Sequence, residues 1–199
     1  MKPADKITSL RLILAPVFFY LYLHPGINGT FFESPVQLAV LWLLFIIIES
    51  SDWLDGQIAR RRNEVSDFGK LWDPFADTLA RITYFLCFVS GGILPVIPFL
   101  VIIFREYGIL FIRVLMMQKG VALGARKGGK FKAVCYALTG FACLFSVTLD
   151  RLGFADSALL LRNTAIAFFI LSMTAAVISF IDYFIVLNKT KSLDTVQKQ

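Results

Sequence analysis

The sequence has 199 residues, 57% of them hydrophobic and 15% aromatic, and its mean hydropathy is +0.71. This is more apolar surface than a soluble domain of that size buries around one core, so a bilayer is the expected solvent. The formal net charge is +6, but no nucleic-acid partner is expected, because the basic residues sit between long apolar blocks.

In chain order, the apolar blocks predict helices near residues 7–24, 36–58, 73–94, 96–117, 131–149 and 160–187. Each approaches or exceeds the roughly twenty residues that an α-helix needs to cross the hydrocarbon core, and none alternates as a barrel strand does. The first block follows Lys2 and Lys6, yet no small-residue cleavage pattern follows Leu23, and Pro25, Gly26 and Asn28 read as a turn. It is read as a retained span. The expected fold is an all-α integral membrane protein of six transmembrane helices, with residues 1–199 forming a single domain.

Lys and Arg concentrate in alternate connections. Lys2 and Lys6 precede the first span, Arg60 to Arg62 and Lys70 separate the second and third, and Lys119 to Lys132 separate the fourth and fifth. Lys189, Lys191 and Lys198 follow the sixth. The bias of basic residues toward the cytoplasm then puts both termini and these two connections on the cytoplasmic side of an inner membrane. Cys87, Cys135 and Cys143 lie inside apolar spans without paired spacing and read as packing residues.

Acidic residues interrupt this pattern where helices 2 and 3 approach the cytoplasm. Glu49, Asp52 and Asp55 close the second apolar block, and Asp73 and Asp77 open the third. An ionised carboxylate at membrane depth is costly unless it is paired or faces water, so each is a functional candidate. Asp52 and Asp55 are three residues apart and Asp73 and Asp77 four, so each pair shares a helix face. Four converging anions repel unless cations sit between them. Carboxylate oxygens without His or Cys favour Mg²⁺ or Mn²⁺, and two such ions suit phosphoryl transfer. Gly56 and Ala59 follow Asp52 on its face and Gly69 precedes Asp73 by one turn, leaving room for a nucleotide. Arg60 offers a fork to a diphosphate.

Together Asp52, Asp55, Gly56, Ala59, Arg60, Gly69, Asp73 and Asp77 match D-x2-D-G-x2-A-R-x8-G-x3-D-x3-D without a gap. This signature resembles that of the CDP-alcohol phosphatidyltransferase family. The resemblance implies two divalent metal ions, Mg²⁺ or Mn²⁺, with Asp52 and Asp73 bridging both, Asp55 on the first, and Asp77 on the second and acting as general base. It also implies that Gly56, Arg60 and Ser66 hold the CDP moiety beside Ala59 and Gly69, and that the protein is a homodimer.

Within the family the likeness is to the phosphatidylglycerophosphate synthase branch. Thr8, Arg11 and Pro16 look like its T-x2-R-x4-P, with Asp5 where Asn is usual, and Asp73-Pro74-Phe75-Ala76-Asp77 looks like its D-P-x-A-D. Arg105-Glu106, Arg113 and Gly129-Lys130-Phe131-Lys132 look like its R-E, later Arg, and G-K-x-K. One position departs: Thr78 stands where Lys is usual. This likeness implies CDP-diacylglycerol and glycerol 3-phosphate as substrates, with membrane lipid around them.

The residues themselves also favour an anionic acceptor, since Arg105, Arg113, Arg126, Lys130 and Lys132 gather where helices 4 and 5 meet the cytoplasmic side. Arg113 lies seven residues after Glu106, so either a structural pair between them or phosphate binding is expected, whereas Lys130 and Lys132 lack neighbouring acids in sequence. Other acceptors or donors (inositol phosphate, serine, CDP-choline with diacylglycerol) use the same chemistry. A cation transporter using the four aspartates is the alternative from another class.

Overall fold

The computed structural model describes residues 3–24, 35–62, 67–118 and 127–196; within these helices the side chains of residues 3–7, 52–62, 67, 68, 70, 127–130, 182, 184 and 186–196 lie outside the description. Six α-helices follow one another: α1 Pro3–Leu23, α2 Pro35–Arg62, α3 Asp67–Ser90, α4 Val96–Gln118, α5 Lys127–Arg151 and α6 Ala155–Val196.

Each expected helix is found, but several boundaries differ. α3 begins at Asp67 rather than at 73, so Asp73 and Asp77 sit in its second and third turns instead of opening it. Asp73-Pro74 imitates a helix start because proline is well suited to a first helical position. Here Pro74 lies inside the helix, where it lacks the N–H that would bond the carbonyl of residue 70. α6 is longer than expected: its 42 residues extend over about 63 Å at the α-helical rise, well beyond one hydrocarbon thickness.

Two tight connections share one construction. α3 ends at a left-handed Gly92 (φ 71°), with Gly92 N–H donating to Val89 O and Ile93 N–H to Phe88 O. α5 ends at Gly153 (φ 84°), with Gly153 N–H donating to Asp150 O and Phe154 N–H to Leu149 O. In both, glycine adopts a backbone that other residues resist, and the last helical carbonyls receive donors.

α3 is the hub of the bundle, packing against α1, α2, α4 and α5, while α5 and α6 form an extensive pair and α6 also covers α4. Phe18, Phe45, Tyr84, Phe85, Phe88, Tyr136 and Phe169 fill the shared core. The Phe85 ring lies edge-on to Tyr136 and Phe169, with centroids 5.3 and 5.0 Å away.

Polarity is inverted relative to a water-soluble bundle. Arg11, Arg81, Arg105, Glu106 and Lys132 are buried, while Ile97, Phe104, Phe111 and Leu160 are each more than 60% exposed. Water would favour the opposite distribution. The stretches Phe131–Arg151 and Ala155–Ile181 are long and apolar enough to cross a membrane, and Thr8–Leu23 and Pro35–Ser51 are shorter apolar helices.

Gly140 marks the tightest approach to this core: a Cβ there would sit 2.7 Å from Phe45 Cε2 and 3.2 Å from Tyr84 Cε2. Gly140→Ala should therefore destabilise the fold by about 1–3 kcal/mol, the usual range for overpacking, despite alanine's better helix propensity. A melting curve of the detergent-solubilised variant shifted down by several degrees is the expected result.

Candidate active site

Residues of α3, α4, α5 and α6 line one cavity of about 220 Å³. Asp73 and Asp77 line it from successive turns of α3, as their four-residue spacing requires. Arg105 and Arg113 enter from α4, Lys132 from α5, and Ser179 and Tyr183 from α6.

α1 sets the two aspartates in place. Thr8 Oγ1 donates to Asp73 Oδ1 at 2.7 Å, and Arg11 Nη1 lies 3.7 Å from Asp77 Oδ1. Thr8 and Arg11, three apart on one face of α1, thus meet Asp73 and Asp77, four apart on one face of α3. At the adjacent positions, Trp72 Nε1 donates to Ser9 Oγ and fixes the same crossing. The T-x2-R pattern, which by itself names no role, serves here to orient carboxylates.

Arg81 is a buried cation of the cavity wall that the sequence reading missed. It is 7% exposed, its Nη1 lies 3.0 Å from Asp77 Oδ2 one turn back, and its Nε lies 3.8 Å from Glu49 on α2. Tyr84 OH donates to the same Glu49 oxygen at 2.9 Å. Arginine four residues after Asp77 in an apolar segment was the available signal. Arg81 lines the cavity together with Thr78 one turn earlier. The cation absent at position 78 is therefore present on the same wall at position 81. Arg11 and Arg81 also supply part of the positive charge that the sequence argument assigned wholly to metal ions.

At the opposite wall, Glu106 Oε1 accepts from Lys132 Nζ (2.7 Å), Arg105 Nη1 (2.9 Å) and Tyr136 OH (3.0 Å). One expectation is corrected, and one of two open readings of Arg113 is excluded. Lys132 does have an acidic neighbour, because its side chain reaches Glu106 of α4 although twenty-six residues separate the pair. Arg113 is not satisfied by Glu106, whose contacts go to Arg105, Lys132 and Tyr136. Arg113 Nε is buried without a hydrogen-bond partner at the cavity wall. Lys132 Nζ also lies 5.0 Å from the Tyr136 ring centroid, a cation–π contact.

Of the remaining predicted residues, Gly69 is a half-buried residue in the first turn of α3, one turn before Asp73. Asp52, Asp55, Gly56, Ala59 and Arg60 lie in the C-terminal turns of α2 and Lys130 in the first turn of α5, but their side chains, like that of Asp182, lie outside the described residues. So do Ser66 and Arg126 altogether. Among the described residues, no three His, Cys, Asp or Glu side chains form a metal-binding group. The described carboxylates are hard oxygen donors, with Asp73 and Asp77 on one cavity wall, and this donor chemistry fits divalent ions of the Mg²⁺ and Mn²⁺ type. Cys87, Cys135 and Cys143 are buried free thiols, consistent with a packing role.

Paired aspartates facing a cluster of buried cations suit a phosphorylated ligand. The family model for CDP-alcohol phosphatidyltransferase matches residues 1–181, and the chain belongs to that family. It is accordingly a phosphatidyltransferase enzyme. A CDP-diacylglycerol–glycerol-3-phosphate 3-phosphatidyltransferase of Treponema pallidum is 40% identical over 76% of this chain and 71% of its own length. The Bacillus subtilis protein of the same name is 33% identical over 78% of this chain and 84% of its own. A CMP-forming cardiolipin synthase of Streptomyces coelicolor is 32% identical over 57% of this chain and 51% of its own.

Glu106 is the electrostatic keystone of the basic wall, so Glu106→Ala should cost about 3–5 kcal/mol by stranding buried cations. Adding Lys132→Met should recover part of that loss. A double-mutant cycle on melting free energies measures the coupling; strictly additive effects would show that the 2.7 Å pair contributes nothing.

Proposed function

We propose that this chain is a phosphatidylglycerophosphate synthase, transferring the phosphatidyl group of CDP-diacylglycerol to glycerol 3-phosphate and releasing CMP. The observation that carries this reading is a single cavity with Asp73 and Asp77 on one wall and Arg81, Arg105, Arg113 and Lys132 around it. Carboxylates suit metal-assisted chemistry on a diphosphate, and the cations suit an acceptor that is itself a phosphate monoester. The names of the Treponema and Bacillus relatives agree with it.

The protein spans a cytoplasmic membrane six times with both termini inside. Inverted polarity supports the membrane, and the alternation of basic connections supports the orientation. The site then opens to the cytoplasm, where both the nucleotide and glycerol 3-phosphate are found, while the donor's acyl chains stay in lipid. A homodimer is proposed on the family likeness.

Asp52, Asp55, Asp73 and Asp77 would hold two Mg²⁺ or Mn²⁺ ions. Helix register supports their convergence: Glu49 of α2 meets Arg81 and Tyr84 of α3, and because the helices run antiparallel, the turns bearing Asp52 and Asp55 come level with those bearing Asp77 and Asp73. When bound, such ions offset charge on the attacking and leaving oxygens. Gly56, Ala59, Arg60, Ser66 and Gly69 frame the cytidine diphosphate.

The chain's own residues do the rest. Arg105, Arg113 and Lys132, with Arg126 and Lys130 nearby in sequence, hold the acceptor phosphate so that its 1-hydroxyl faces Asp77. Asp77 takes the hydroxyl proton, the oxygen bonds to the phosphorus that carries diacylglycerol, and the bond from that phosphorus to the CMP oxygen breaks. Thr8, Arg11 and Arg81 keep Asp73 and Asp77 aligned, so little reorganisation is needed as charge shifts.

CMP release from CDP-diacylglycerol by the purified protein, with Mg²⁺ or Mn²⁺, should depend on glycerol 3-phosphate and not on serine, inositol phosphate or phosphatidylglycerol. Asp77→Asn should lower the rate at least about a hundredfold, the scale of general-base loss. Equal release with any other acceptor, or full activity in Asp77→Asn, would overturn the reading.

A further inference from the structure

Serine and threonine inside helices usually return their hydroxyl to a carbonyl three or four residues back. α6 follows that habit at Thr164 (to Leu160 O), Ser172 (to Phe169 O) and Thr174 (to Ile170 O). Ser179 does not. It is 4% exposed, and its Oγ is buried with no hydrogen-bond partner. The carbonyl three residues back belongs to Ala176, and it already accepts Arg105 Nε at 2.9 Å. The Ser179 hydroxyl is left at the wall of the cavity that Asp77 lines.

A buried hydroxyl without a partner is disfavoured, and native structures keep few of them. Among the described residues, Arg113 Nε of α4 is also buried without a hydrogen-bond partner at this cavity, so two helices leave a donor there. Arg105 and Lys132 add positive charge there. Two unpaired N–H and O–H donors in a basic recess are complementary to a phosphate oxygen, which accepts from both.

We infer that Ser179 is an acceptor-binding residue, donating its hydroxyl together with Arg113 Nε–H to the phosphate of the acceptor alcohol. The inference rests on the reading of this cavity as the acceptor site and extends it to α6, which contributes nothing to the sequence signature. Ser179 binds but does not react, so it governs occupancy of the site rather than proton transfer.

The test measures initial rates of CMP release for wild type and Ser179→Ala against glycerol 3-phosphate, inhibition of each by inorganic phosphate, and the melting temperature of each. A structural hydroxyl and a binding hydroxyl separate clearly here. Removing an unsatisfied buried hydroxyl should leave melting unchanged or raise it. Loss of a hydrogen bond to a charged ligand should raise KM for glycerol 3-phosphate roughly tenfold with kcat little changed, and weaken phosphate inhibition in parallel. An unchanged KM, a lowered melting temperature with unchanged KM, or a raised KM with undiminished phosphate inhibition would each overturn the assignment. Wild-type release that ignores glycerol 3-phosphate would instead overturn the acceptor reading itself, so the two failures are distinguishable.

Discussion

An ionised side chain in an apolar interior must find an opposite charge or hydrogen-bond donors, and in this bundle that requirement organises the functional end of the molecule. Asp77 finds Arg81 and Arg11, Glu49 finds Arg81 and Tyr84, and Glu106 finds Lys132, Arg105 and Tyr136. Most of these contacts join different helices. The polar groups that the chemistry needs are therefore also cross-links between α1, α2, α3, α4 and α5.

The two halves of the cavity are built differently. On the carboxylate wall, Thr8, Arg11 and Arg81 act on Asp73 and Asp77 from fixed helical positions, which limits the freedom of groups that must meet a reacting centre. On the basic wall, Glu106 holds Arg105 and Lys132, while Arg113 Nε and Ser179 Oγ are left without partners. The carboxylates are held from several positions, whereas the cation wall keeps two buried donors without hydrogen-bond partners.

Thr78 shows how a local departure from a motif can mislead when helix geometry is ignored. A residue and its successor three positions on share a face, so a cation at 81 reaches the same cavity wall as one at 78. Arg81 gains a second contact with Glu49 from that position, coupling α2 to α3 at the level where the α2 aspartates begin.

The number of helices and the pairing of Asp73 with Asp77 could be read from the sequence because both depend on local periodicity: apolar block length for one, four-residue spacing for the other. Even there, Pro74 concealed the first two turns of α3, since a proline compatible with a helix start is also tolerated inside one that its neighbours support. The partners of Glu106, the meeting of Thr8 with Asp73 and the isolation of Ser179 were decided only by tertiary structure. Each depends on which helices touch and at what height, and that is set by packing among six long elements rather than by the spacing within any one of them.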